Sequence, residues 1–111
     1  MKYILLLIAF IGLSSFQITT EEQKIQKLID FVAEIKGAVL IRNGSEYLPV
    51  KGATHLKMKR EKAGSDIKTA QEFIEQLASR SSVSGKDYEI KYKNGKVVKL
   101  GDLLLAELKR I

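Results

Sequence analysis

Residues 87–100 read Asp87-Tyr88-Glu89-Ile90-Lys91-Tyr92-Lys93-Asn94-Gly95-Lys96-Val97-Val98-Lys99-Leu100. Two alternating runs flank Asn94-Gly95, a pair that accepts the positive φ angles of a type I′ two-residue loop. The stretch is therefore a β-hairpin. Counting outward from that loop puts Tyr88, Ile90, Tyr92 and Val97 on one face and Glu89, Lys91, Lys93 and Lys96 on the other, because side chains alternate along a strand. The charged face goes to water. An isolated hairpin is only marginally stable, so the apolar face must pack on helices or the hairpin must pair with a further strand.

That further strand is Ala38-Val39-Leu40-Ile41, halted by Asn43-Gly44. Its short β-branched run without alternation predicts a strand covered on both faces. Ser45-Glu46-Tyr47-Leu48 reads either as a short returning strand or as a loop. Four helices surround these strands. Thr19 or Thr20 caps the first, with Glu22 or Gln23 completing a capping box three residues on. Ile25, Leu28, Ile29, Val32 and Ile35 then recur at helical spacing, and Gly37 is placed to end the helix. Pro49 opens a second helix that runs to about Ala63. Its thin stripe of Val50, Ala53 and Leu56 predicts a surface helix with Lys59 and Arg60 in water. Thr69-x-x-Glu72 is a second capping box, opening a third helix with Ala70, Phe73, Ile74, Leu77 and Ala78 on its core face. Gly101-Asp102 opens the fourth, closed by Leu104, Leu105, Leu108 and Ile111. The order α-β-α-α-β-β-α predicts an α+β fold: a small single domain whose short antiparallel sheet carries a C-terminal β-hairpin packed against helices.

Composition agrees. A chain of 111 residues, 45% hydrophobic and 29% charged, is sized for one globular domain. It has no cysteine, which excludes a disulfide framework, a thiolate nucleophile, Cys-based zinc or iron–sulfur sites and a lipidated Cys. At the N-terminus, Lys2 precedes the apolar run Tyr3–Leu13, and Ser14-Ser15-Phe16-Gln17 follows with small and polar residues. This is the layout of a secretory signal peptide. The run is shorter than the ~17–25 apolar residues of a spanning helix. The expected division is a signal peptide over 1–16 and one α+β domain over 17–111, in a periplasmic or secreted protein with no transmembrane segment after cleavage.

The charge is +6, from 19 Lys and Arg against 13 Asp and Glu. The excess concentrates at Lys51, Lys57, Lys59, Arg60 and Lys62, and again at Lys86, Lys91, Lys93, Lys96 and Lys99. Such faces meet an acidic envelope component or protein, or they solvate a helix and guard a sheet edge. No platform of interleaved aromatics for bases is present, so nucleic acid is not an expected partner.

Several short motifs carry a family likeness. They are Arg42-Asn43-Gly44, Ala53-x-His55-Leu56-x-x-Lys59, Ile67-x-Thr69-Ala70-x-x-Phe73-Ile74, Ala78-Ser79-x-Ser81-Ser82 and Ser84-Gly85-x-x-Tyr88. In this order and spacing the chain resembles the YfeK-like family of uncharacterised exported bacterial proteins, a domain of unknown function. The resemblance spans roughly residues 22–93 and implies export to the periplasm of a Gram-negative cell. It brings no reaction, ligand or cofactor. Beyond Lys93 the likeness fades, which implies a hairpin particular to this chain.

His55 is the only histidine, with Lys59 one turn later on the same face. Without a second His or any Cys it has no partners for zinc. As a general base it would need a positioned hydroxyl and an orienting carboxylate. Ser81, Ser82 or Ser84 with Glu46 or Asp66 offers those groups, but no G-x-S-x-G elbow accompanies them. The serines of 79–84 read as backbone caps at a helix end. The turn Arg42–Tyr47 holds more hydrogen-bonding side chains than a turn needs, with Arg42 and Glu46 expected to pair. The candidate ligand site is therefore Arg42, Asn43, Glu46, Tyr47, His55 and Lys59. No catalytic residue, cofactor or metal is assigned. The reading is a non-catalytic envelope binding or interaction module, with a small hydrolase using His55 and a serine of 79–84 as the alternative.

Overall fold

Helix α1 spans Glu21–Ala33 and begins at the second of the two possible caps. Thr20 Oγ1 accepts from the Gln23 amide at 3.1 Å, and Gln23 Oε1 accepts from the Thr20 amide at 2.9 Å. Ile25, Leu28, Ile29 and Val32 are buried. Ile35 packs on the core from beyond the helix end. Gly37, at φ 69°, serves the turn into β1 rather than the helix terminus. The computed structural model describes residues 18–111; the signal peptide read over 1–16 lies outside the described residues.

Strands β1 (Ala38–Arg42), β2 (Ser45–Tyr47), β3 (Glu89–Tyr92) and β4 (Val97–Lys99) form one antiparallel sheet in the order β2-β1-β3-β4. The α+β class stands, and Ser45–Tyr47 is a strand rather than a loop, so the order becomes α-β-β-α-α-β-β-α. The type I′ loop belongs to the first hairpin. There Asn43 and Gly44 both take positive φ, 52° and 79°, and Arg42 pairs with Ser45. In the second hairpin only Gly95 does, at φ 88°. Its amide donates to Tyr92 O, and the Tyr92 amide donates to Lys96 O, closing a three-residue loop. A turn followed by a left-handed glycine is the next most common hairpin connection.

That longer loop moves the pairing by one residue. Lys91 faces Val97 and Ile90 faces Val98. Val98 therefore packs on the core, and Val97, expected inward, is 44% exposed. Strand β1 also departs from its reading as fully covered, since only Leu40 within it is buried. The sheet has one packed face.

Helix α2 spans Pro49–Ala63, with Pro at its first position as expected. Its buried residues are Pro49, Gly52, Ala53 and Leu56, whereas Val50 is 55% exposed. Gly52 is the reason. A Cβ there would collide with Leu40 Cδ2, so the bare backbone turns toward β1 and carries Val50 outward. Continuing the stripe at three-and-four spacing reaches Lys59, Arg60 and Ala63. Both cations are half-buried, which corrects the expectation that they lie in water. Arg60 pairs with Glu22 of α1 at 3.3 Å.

Helix α3 opens with the second predicted box. Thr69 Oγ1 accepts from the Glu72 amide at 3.0 Å, and Glu72 Oε1 accepts from the Thr69 amide at 2.9 Å. Glu21 of α1 adds a third acceptor, taking the Ala70 amide at 2.9 Å. The helix is α-form over Ala70–Phe73 and π-form over Ile74–Ala78. Ser79 Oγ donates to the Ile74 carbonyl at 2.6 Å, satisfying a group at the widened end. Helix α4 spans Leu100–Arg110, and its Gly101 lies against Ser79, leaving only 2.6 Å from a Cβ to Ser79 Oγ.

This contact yields a prediction. Gly101→Ala must push Ser79 off the Ile74 carbonyl and separate α4 from the π turn. Overpacking of this kind costs about 1–3 kcal/mol. Calorimetry should show a melting temperature several degrees lower; an unchanged Tm would mean the contact is slack.

Candidate functional site

The cationic half of the α2 stripe faces the end of β1 and the start of β3 across a cleft of about 450 Å³. Tyr88 forms its centre. The side chain is only 2% exposed, and its backbone is held on both sides. Its amide donates to Ser79 O at 3.0 Å, and its carbonyl accepts from Leu100 at 2.9 Å. A buried tyrosine needs a partner for its hydroxyl, and here α2 provides two. Lys59 Nζ donates to the hydroxyl oxygen at 3.1 Å and reaches Arg80 O at 3.3 Å. His55 Nε2 lies 3.4 Å from the same oxygen, with the two rings edge to face at 6.3 Å. With Lys59 donating to the oxygen, the hydroxyl proton is free to go to Nε2, an arrangement that suits a neutral imidazole.

Arg42 arrives from the sheet. It shares the inward parity of Leu40 on β1. Its guanidinium carbon sits 5.7 Å from the centroid of the Tyr47 ring, and its Nε is shielded from water with no hydrogen-bond partner. Glu46 pairs with Ile41 in register, so it stands on the opposite face and meets Lys91 at 3.7 Å. The expected Arg42–Glu46 ion pair is therefore not formed, because strand alternation sends the two side chains to different sides. Lys62 completes the basic lining.

The serine loop forms the far wall. Ser81 Oγ accepts from the amides of Val83 and Ser84 at 3.2 and 3.3 Å. The Ser84 hydroxyl donates to Asn43 Oδ1, tying this loop to the β1–β2 turn. Ser82 also lines the cleft, and Ala63, Leu77 and Val83 supply an apolar flank.

Of the six candidate residues, Arg42, His55 and Lys59 come together in one cleft. Tyr47 supports Arg42 from behind, Asn43 is a structural tie, and Glu46 is elsewhere. Tyr88 and Lys62 were missed as site residues, and the serine loop was placed beside His55 only in the hydrolase alternative. The one available signal was Tyr88 itself, an inward tyrosine whose hydroxyl had to find a polar partner.

The electrostatics are one-sided. No Asp or Glu among the described residues lines the cleft. Among the described residues none of Arg42, His55, Lys59 and Lys62 enters an ion pair. Burial, and then the charges of Arg42 and Lys59, hold His55 below its ordinary value of 6.5. Burial followed by Arg42 lowers Lys59 as well. Burial raises Tyr88, with the Arg42 charge opposing it. This arrangement gives no support to a hydrolase. His55 faces a tyrosine hydroxyl, Ser81 Oγ is occupied by amides, and no carboxylate stands behind the imidazole. Among the described residues no group of three or more His, Cys, Asp or Glu is placed to hold a metal ion.

The depressed His55 makes stability depend on pH in a defined sense. The unfolded chain takes up this proton near pH 6.5, before the folded one does, so stability falls as pH drops below about 6.5 toward the lower folded value. Melts of His55→Gln should lose that part of the slope while keeping the steeper loss from carboxylates at lower pH. Identical slopes in the two proteins would show that neither burial nor the Arg42 and Lys59 charges lower the imidazole.

Comparison with known proteins matches residues 19–111 to a family described as a family of unknown function (DUF5329). An uncharacterized protein YfeK of Salmonella typhimurium (strain LT2) is 34% identical over 68 residues, covering 61% of this chain. The matched stretch spans 57% of that relative's length. No solved structure matches. The YfeK-like likeness is thus a shared domain of unknown function. The family match over residues 19–111 reaches Ile111, so the C-terminal hairpin and α4 belong to the family's domain rather than to this chain alone.

Proposed function

The chain belongs to this family of unknown function (DUF5329), and on that footing we propose that it is a non-catalytic binding module of the cell envelope that captures a small anion in the Tyr88 cleft. The observation that carries the reading is the uncompensated charge. Among the described residues Arg42, Lys59 and Lys62 line one cleft that no carboxylate lines, and an anion would relieve their mutual repulsion. Tyr88 and the serine hydroxyls add neutral groups that accept or donate as the ligand requires. What supports placing the module in the envelope is the signal-peptide reading of residues 1–16 and the exported character that the family resemblance implies.

Two measurements test this. Inorganic phosphate titrated into the protein, followed by amide chemical shifts, should saturate and move resonances around Tyr88 and the serine loop. Lys59→Gln or Arg42→Gln should weaken that binding by about tenfold or more, the worth of one charge-assisted hydrogen bond, with Tm kept within a few degrees. Binding indifferent to both substitutions would sink the anion site. In cells, the protein should be recovered shortened at its N-terminus in the envelope fraction; an intact chain confined to the cytosol would remove the compartment.

A further inference from the structure

The cleft lining is mixed, which points beyond a bare ion. It combines the polar groups of Arg42, His55, Lys59 and Tyr88 with the apolar side chains of Ala63, Leu77 and Val83. Val83 is 91% exposed at the tip of the serine loop, where no fold contact requires an apolar residue. The volume, about 450 Å³, falls within the ~300–1,000 Å³ of small-molecule sites and far exceeds a few waters at ~30 Å³ each.

Charge narrows the head group. Arg42, Lys59 and Lys62 bring three positive charges to one cleft with no carboxylate in its lining. A carboxylate would answer one of them. A phosphate monoester carries about −1.5 to −2 near neutral pH and three acceptor oxygens. That matches the three cations of the lining, and guanidinium is well suited to phosphate. Resting on the anion-site reading above, we infer that the cleft accommodates an organic phosphate monoester. Its phosphate sits on Arg42 and Lys59, its apolar body lies along Ala63, Leu77 and Val83, and Lys62 provides additional charge. The same chemistry occurs in soluble esters and in phosphatidic-acid head groups.

The test compares four probes on the whole protein at pH 7.5: inorganic phosphate, phenyl phosphate, benzoate, and vesicles of dioleoyl phosphatidic acid in phosphatidylcholine. Phenyl phosphate should bind about tenfold tighter than inorganic phosphate, the effect of burying one to two methylene equivalents of apolar surface. It should also bind tighter than benzoate. Val83→Ser, a change at an exposed tip, should weaken phenyl phosphate by about threefold and leave inorganic phosphate unchanged. Retention on the phosphatidic-acid vesicles that phenyl phosphate displaces identifies the lipid source; no retention above plain phosphatidylcholine, with phenyl phosphate still bound, identifies the soluble one. If inorganic and phenyl phosphate bind equally, or benzoate equals phenyl phosphate, the monoester inference fails while the anion site stands. If no phosphate binds at all, both readings fail together.

Discussion

Helix α2 meets strand β1 at Gly52, where only a hydrogen fits against Leu40, and the placement of every site residue on that helix follows from this close approach. A helix seated there must present the positions three and four residues apart along the same side. The first half of that side, Pro49 to Leu56, is small and apolar and fills the core. The second half is Lys59, Arg60 and Ala63, of which only Ala63 brings an apolar side chain to the core. The chain meets this by placing Tyr88 under Lys59 and Glu22 beside Arg60. One cation receives a neutral hydroxyl and the other a carboxylate. That difference makes Lys59 a candidate site residue and Arg60 a structural one.

Three half-buried basic groups, Arg42, His55 and Lys59, oppose one another in this cleft. Crowded like charges raise the energy of the folded state, and the remainder of the fold must offset that cost. The offset is visible in the frame around them. Two complete capping boxes secure the starts of α1 and α3, and Glu21 bridges between those helices by taking the Ala70 amide. On the far side, the π turn, Ser79 and Gly101 lock α4 against the segment that leads into the serine loop. The same loop is tied to the β1–β2 turn through Ser84 and Asn43. The walls of the cleft are therefore elements joined at several points, which suits a preformed ligand site.

A tyrosine hydroxyl that accepts from lysine and faces an imidazole is also met where protons are transferred. Here burial, and then the Arg42 charge, lower both flanking bases, and among the described residues no acid lines the cleft to complete a relay. The proposed anion site rests on this imbalance between bases and acids.

Local chemistry made much of the fold legible from the sequence alone. The capping boxes, Pro49 at a helix start, the Asn-Gly turns and the α+β class all depend on groups within a few residues of one another, and so did the pairing of His55 with Lys59 on one helical face. Longer-range matters were decided only by the tertiary structure. Val97 and Val98 are chemically identical, so the inward one was set by whether the loop held two residues or three, and Asn94 kept a negative φ. Arg42 and Glu46 look like an ion pair in sequence, yet strand alternation parts them. Lys59 looks like a solvated lysine until Gly52 turns α2 and brings Tyr88 beneath it. Neighbours in the chain set local shape; which cations end up unpaired together depends on contacts between residues dozens of positions apart.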